Sequence, residues 1–212
     1  MDKINVSELV NIVDIMSNII IENEVYFCEL DSAAGDGDFG MSLSKGFKVL
    51  KDEWENLPKD NIGAFLKECG MLITEHCGGA SGPIWGSAFR AAGKYAIGKK
   101  ELSLKELGEL LQSAVDGIQK TGKAKLGDKT LLDALIPATE SLKKSSEADE
   151  DMLEAMKKSA QEAVNGGEKT KEIVAKRGRA SYLGERSIGF PDAGATAIGV
   201  IFTEIIEKLN LI

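Results

Sequence analysis

Ala193-Gly-Ala-Thr-Ala-Ile-Gly-Val-Ile-Phe-Thr-Glu-Ile-Ile-Glu-Lys-Leu209 is the one stretch of this chain where a strand competes with a helix. Its first half, with small and β-branched residues, suits a buried strand. Its continuation, Ile205-Ile206 to Leu209, keeps helical spacing, so the whole reads as a largely buried helix. With it helical, no stretch of convincing period-2 alternation remains and the chain reads as all-α. Residues 6–27 put Leu9, Ile12, Val13, Met16 and Ile19–Ile20 on one stripe. Residues 41–54 do the same with Leu43, Phe47, Leu50 and Trp54, and residues 61–75 with Ile62, Phe65, Leu66, Cys69 and Leu72–Ile73. Ser81-Gly-Pro83 opens the next segment, because the missing N–H of Pro costs nothing in a first turn. Ser103-Leu-Lys-Glu106 is a capping box for a helix to about Lys120. Residues 130–144 and 149–176 complete a set of eight helices. The polar run Lys143–Asp151 is expected to be an exposed loop. Glycines cluster at 35–40, 78–82, 122–127 and 178–194, between helical segments, and gather at one end if the helices alternate up and down.

The chain has 212 residues, enough for one domain spanning 1–212 with a sizeable core. Its balance of 26 basic against 34 acidic residues gives a net charge of −8. That argues against nucleic acid or an anionic membrane as partner. A phosphate ligand would need a local offset, such as a divalent metal. Cys28, Cys69 and Cys77 are odd in number and form no CxxC pair, so neither a disulfide framework nor a structural zinc site is expected. The N-terminus has no signal-peptide pattern and no apolar run is long enough to span a membrane. A cytoplasmic protein is expected.

Four stretches can carry chemistry. In Asp31-Ser-Ala-Ala-Gly-Asp36-Gly-Asp38-Phe-Gly40 three carboxylates fall within eight residues, and the glycines allow tight turning. Converging carboxylates call for a hard cation such as Mg²⁺. The plain alternative is a solvated acidic turn with Asp38 as a helix N-cap. Gly78-Gly-Ala-Ser-Gly-Pro83 runs into a helix N-terminus, whose free N–H groups suit phosphate. It is otherwise a tight helix–helix turn. Thr121-Gly-Lys-Ala-Lys-Leu-Gly-Asp128-Lys129-Thr130 offers a hydroxyl, a carboxylate and an ammonium, or else a capped loop in which Asp128 or Thr130 starts the next helix. The stretch from Arg177 to Gly194 holds Arg177, Arg179 and Arg186, a cluster that suits an anion unless it is simply solvated. The single histidine, His76, excludes a multi-histidine zinc site and is expected to pack or cap at its helix end. Trp54 and Trp85 are expected in the core or an interface.

Together these stretches, LDSAAGDGDFG, GGASGPIWG, GDKTLLDALIPA and GRASYLGERSIGFPDAGAT, resemble the nucleotide-binding L subunit of dihydroxyacetone kinases, in the same order and over nearly the whole chain. The resemblance implies a barrel of eight antiparallel amphipathic helices with Mg²⁺ and an adenine nucleotide, ADP or ATP, at one end. By the same resemblance Asp31, Asp36 and Asp38 match the metal ligands, with capacity for two ions. Phe39, Gly40, Met41, Ser42, Gly79, Ala80 and Ser81 match phosphate contacts, and Gly122, Leu131, Arg179, Asp192, Ala193 and Gly194 match further nucleotide contacts. Asp31, Asp36, Asp38 and Arg179 are the implied catalytic set. The family commonly carries His where Phe39 stands, and often polar residues where Phe190-Pro191 stand, so the cleft here is more apolar. The implied partners are a K subunit that holds dihydroxyacetone and a phosphocarrier M subunit of the phosphotransferase system. The chain alone is expected to be inactive. Alternatives are a related kinase for another short ketose such as a tetrulose, using exchangeable ATP, or a nucleotide sensor acting on a transcription regulator.

Overall fold

The structure is a computed structural model in which residues 3–210 are described. It is all-α apart from one small sheet. The chain forms β1 (Lys3–Asn5), α1 (Val6–Glu22), α2 (Glu24–Ser32), α3 (Phe39–Asp52), α4 (Ile62–His76) and α5 (Ser81–Tyr95). Then come β2 (Glu101–Ser103), α6 (Leu104–Gly122), α7 (Leu132–Glu147), α8 (Met152–Lys169) and α9 (Ala193–Asn210). The contested 193–209 stretch is therefore a helix. Pro83 falls in the first turn of α5, and the Ser103–Glu106 capping box opens α6.

Among the described residues there are nine α-helices, one more than the spacing predicts. The extra one arises at Asn23, where the apolar stripe gives way to Glu22-Asn23-Glu24. There the Asn23 side chain and backbone N–H both donate to the Ile19 carbonyl, closing α1. A new helix, α2, then carries the chain on to Ser32. Two ends also differ from expectation. Residues 145–147 extend α7, and the loop shrinks to the turn before Asp151, whose carboxylate accepts from Leu153 N and Glu154 N and caps α8. The helix expected over 149–176 stops at Lys169; a 3-10 turn follows at Thr170–Glu172 and another 3-10 segment spans Arg179–Ser187. The antiparallel pair β1–β2 (Ile4 opposite Leu102) is invisible to periodicity, being three residues long on each side.

From α3 onward each helix packs on the next, and α9 returns onto α1, which packs on α3. Glycines inside helices make several of these crossings backbone to backbone. Gly63 and Gly70 of α4 face Gly93 and Gly86 of α5; a Cβ on Gly70 would lie 2.8 Å from Arg90 N, and one on Gly93 2.7 Å from Lys67 N. The pairs are seven residues apart on each helix, so they share a face. Phe47 is fully buried and stands edge-on to Trp85 and Phe89 at 6.4 and 6.2 Å between ring centres. Trp54 likewise meets Phe65 edge-on. An apolar cavity of about 170 Å³ lies between the helices, bordered by Leu9, Leu107, Leu135 and Ile198 among others. Trp85 and Leu131 border both this cavity and the polar cleft described next. No helix among the described residues is long and apolar enough to cross a membrane.

Candidate functional site

Asp31 stands in the last turn of α2, and the loop beyond wraps around it. Gly35 N donates to the Asp31 carbonyl at 2.6 Å and Gly37 N to its carboxylate at 2.9 Å. A Cβ on Gly35 would lie 2.1 Å from Asp31 Oδ1, and Gly37 adopts φ +73°. Only glycine fits these two places readily. The wrapping brings carboxylate oxygens of Asp31, Asp36 and Asp38 to within 4.8 Å of one another. Asp38 holds the cap position of α3 but makes no side-chain cap hydrogen bond, so the N-cap alternative does not use its carboxylate. Burial first, then the charges of Asp36 and Asp31, push the Asp38 carboxyl above the usual range, against a lowering by Arg179. Asp36 forms an ion pair with Arg179 at 2.6 Å.

The glycine turn before α5 abuts the first turn of α3. Gly78 N donates to the Ser42 carbonyl at 3.1 Å, and Gly79 adopts φ +53°. Ala80 holds the cap position, so no side-chain acceptor covers the N–H groups of the first turn of α5. This end keeps its positive dipole open to the cleft.

The α6–α7 loop and the 170–194 segment form the opposite wall. Within the loop, Asp133 accepts from Gly127 N and Thr130 N, and Thr130 Oγ1 accepts from Leu132 N. The cap position of α7 falls on Leu131, with no side-chain cap bond, so neither Asp128 nor Thr130 is the cap; Thr130 stands one residue before it. Asp128, almost fully buried, accepts from Lys125 N and pairs with Arg177 at 3.4 Å. Lys129 does not offer its ammonium to the cleft but to three backbone carbonyls. Asp192 caps α9 by accepting from Ala195 N at 2.8 Å; burial pushes its carboxyl up to about 7, a rise this hydrogen bond opposes.

These walls enclose one cleft of about 270 Å³. Of the residues expected at a site, Asp31, Asp36, Asp38, Phe39, Ser42, Gly79, Ala80, Ser81, Leu131, Arg179, Asp192, Ala193 and Gly194 line it. Gly40, Met41 and Gly122 do not. Gly40 is where α3 crosses α2: a Cβ there would lie 2.0 Å from the Glu24 carbonyl oxygen. Met41 is exposed and donates its N–H to Cys28 Sγ, and Gly122 faces the side chain of Ile84. The cleft also takes in Leu30, Ala34, Ile84 and Trp85, which motif reading did not assign to it, together with Lys129, Arg177 and Pro191 from the candidate stretches. Ile84 and Trp85 follow Pro83 in the first turn of α5, a position that already suggests the cleft. Arg186 lies outside it. His76, half-buried, is the last residue of α4. The three cysteines are free thiols, and burial raises Cys77 to about 11.

The sequence profile of the DAK2 domain matches residues 33–207, and the chain belongs to that family, a kinase family of dihydroxyacetone kinase subunits. It is similar to the ADP-binding subunit DhaL of the PEP-dependent dihydroxyacetone kinase of Escherichia coli (strain K12), with 35% identity covering 91% of each chain. The ADP-binding subunit DhaL of PEP-dependent dihydroxyacetone kinase 2 of Listeria innocua serovar 6a is 36% identical over 92% of this chain and 91% of its own. Among solved structures, the dihydroxyacetone kinase of C. freundii in complex with AMP-PNP and Mg²⁺ superposes with a TM-score of 0.75 at 25% identity. That match covers 94% of this chain and 33% of the longer C. freundii chain.

Proposed function

We propose that the cleft binds a Mg²⁺-complexed adenine nucleotide and that the chain is the phosphoryl-transferring subunit of a dihydroxyacetone kinase. The carrying observation is the convergence of three carboxylates, the open N-terminus of α5 and Arg179 on one cleft. The donor set fits magnesium: Asp31, Asp36 and Asp38 present oxygen alone, and their mutual repulsion calls for a hard cation. Bound there, Mg²⁺ supplies charge neutralisation to the phosphates and to the charge that shifts during transfer. In the first turn of α5 the Gly82 N–H is the one left to orient a phosphate oxygen, since Ser81 N and Ile84 N donate to the Gly78 and Ala80 carbonyls and Pro83 has none. Arg179 has a fork suited to two phosphate oxygens, and Arg177 stands on the same wall. Ile84, Trp85 and Leu131 provide apolar surface for the base.

Phe39 takes no polar part. Its ring packs 6.0 Å from that of the buried Phe27, and it excludes water beside the carboxylates rather than donating to phosphate. By the same resemblance, dihydroxyacetone is assigned to a separate K subunit and the resupply of phosphoryl groups to a phosphocarrier M subunit. The chain is inactive without them, and its three free thiols suit the cytoplasm.

The test is to purify the chain with magnesium throughout, denature it and identify released nucleotide by mass spectrometry. Phosphoryl transfer to dihydroxyacetone is then assayed with and without a K subunit and phosphocarrier. Bound ADP and transfer that needs both partners are expected. A chain that neither carries nor binds adenine nucleotide overturns the nucleotide reading. Turnover by the chain alone overturns the division between subunits.

A further inference from the structure

Lys129 is 2% exposed, yet among the described residues no carboxylate comes within ion-pair distance of it. Its backbone adopts φ +61°, a left-handed conformation that a lysine enters only at a cost. That twist sends the side chain inward. There Nζ donates to the carbonyls of Ile173 at 3.2 Å, Ser187 at 2.6 Å and Phe190 at 2.8 Å. An ammonium has three donors, and all three are taken. None is left for a phosphate oxygen, so direct contact with a bound anion is not its role.

The three acceptors lie on both flanks of one segment. Ile173 is on the way out from α8, and Ser187 and Phe190 are on the way back to α9. Between them stand Arg177 and Arg179. The ammonium therefore closes the neck of a loop whose tip carries the arginines. Fewer than usual apolar anchors hold that tip. From Lys176 to Phe190 the only buried residue is Ser187, and Tyr182 is 87% exposed. Glycines with positive φ, Gly178 and Gly184, flank Arg179 within it. Polar ties do the holding: Ala175 N donates to Ser187 Oγ at 3.0 Å, and Gly189 N to the Lys171 carbonyl at 2.8 Å. Asp128, the neighbour of Lys129, grips Arg177 nearer the tip. Burial pulls the Lys129 pKa down and the Asp192 charge offsets part of this.

We propose that Lys129 is a positioning residue: its ammonium ties the neck of the 170–191 segment and so fixes where Arg179 stands in the cleft. The role rests on the reading of that cleft as a Mg²⁺–nucleotide site. Lys129 acts through Arg179 and touches no ligand.

The test uses the purified chain, Mg²⁺ and ADP. Affinity is measured by calorimetry for wild type, Lys129→Met, Arg179→Ala and the double variant, with amide hydrogen exchange followed alongside. Lys129→Gln, neutral but with two N–H donors, is carried in parallel in case the Met variant folds poorly. We expect Lys129→Met to weaken Mg²⁺–ADP binding about tenfold, the order of a lost charge-assisted contact, and Lys129→Gln about threefold. In the Arg179→Ala background the loss shrinks to within about twofold, because contacts acting in series are not additive. Exchange should rise across 175–190 and stay unchanged in α4 and α5. The inference is overturned by unchanged affinity, by an equal loss with and without Arg179, or by exchange that rises throughout the chain. A wild type that does not bind Mg²⁺–ADP overturns the proposed function first, an outcome distinct from a wild type that binds and a Lys129→Met that binds equally.

Discussion

Replacing Asp38 by Asn removes one of three like charges while leaving the side-chain shape almost unchanged. The carboxylate oxygens of Asp31, Asp36 and Asp38 lie within 4.8 Å of one another. At an effective dielectric near 20, two unit charges at that separation repel by about 3.5 kcal/mol. Asp36 is exposed and paired with Arg179, so solvent and the guanidinium reduce the strain that Asp38 adds to about 1 kcal/mol. Loss of a carboxylate at the N-terminus of α3 works the other way, by about 0.5 kcal/mol. No cap hydrogen bond is lost, since Asp38 makes none. Without metal, Asp38→Asn should therefore melt at the same temperature as wild type or about 1 °C above it. With ligand the order reverses. Mg²⁺–ADP at about a hundred times its dissociation constant stabilises wild type by about 2.7 kcal/mol, or roughly 5–10 °C for a chain of this size. The variant, with one of its three oxygen ligands left uncharged, should keep less than about a third of that shift. Differential scanning calorimetry in EDTA and in Mg²⁺–ADP reads both terms. A variant that loses several degrees in EDTA and keeps the full ligand shift would refute the idea that these carboxylates are held together for a cation.

Gly40→Ala puts a methyl group about where the Glu24 carbonyl oxygen lies, 2.0 Å from the ideal Cβ position, so α3 must move off α2. A loss of about 2 kcal/mol or more is expected in urea denaturation, with weaker metal binding because α2 carries Asp31; an unchanged midpoint would contradict the crossing. Phe47→Ala empties a fully buried site against Trp85 and Phe89 and should cost about 3–5 kcal/mol, with a shift of Trp85 emission as a local reporter. Glu106 is held down to about 2, chiefly by Lys99 at 2.7 Å and then by Ser103 N. Its folded value lies below its unfolded one, so its contribution is complete above pH 4.5 and is lost as pH falls towards 2. Glu106→Gln should be about 1 kcal/mol less stable at pH 7, and the gap should close by pH 2 in acid-denaturation curves.

Local order in this protein was legible because it rests on short-range rules. The stripes of α1, α3 and α4 repeat within a few turns. The capping box at Ser103 needs only a residue three positions on, and Pro83 needs only a place in a first turn. The acidic stretch from Asp31 to Asp38 announced its chemistry by charge alone, and its glycines announced a tight loop. The split at Asn23 was less legible, because no Gly or Pro between residues 18 and 28 marks a break between α1 and α2. The pairing of β1 with β2 was not legible at all, since strands of three residues show no period and their partners lie about a hundred positions apart.

Composition and spacing by themselves determined an all-helical chain with glycine-rich loops, an acidic cluster and an arginine cluster. Only the tertiary structure decided what those loops do. It set Gly40 to let α3 cross α2, not to line the cleft, and it left Met41 and Gly122 outside. It spent the Lys129 ammonium on the carbonyls of Ile173, Ser187 and Phe190, and the Asp128 carboxylate on Arg177. The physical reason is that a side chain's type fixes which bonds it can make, whereas the partners within its reach are set by segments 44 to 61 residues away, brought there by the packing of helices.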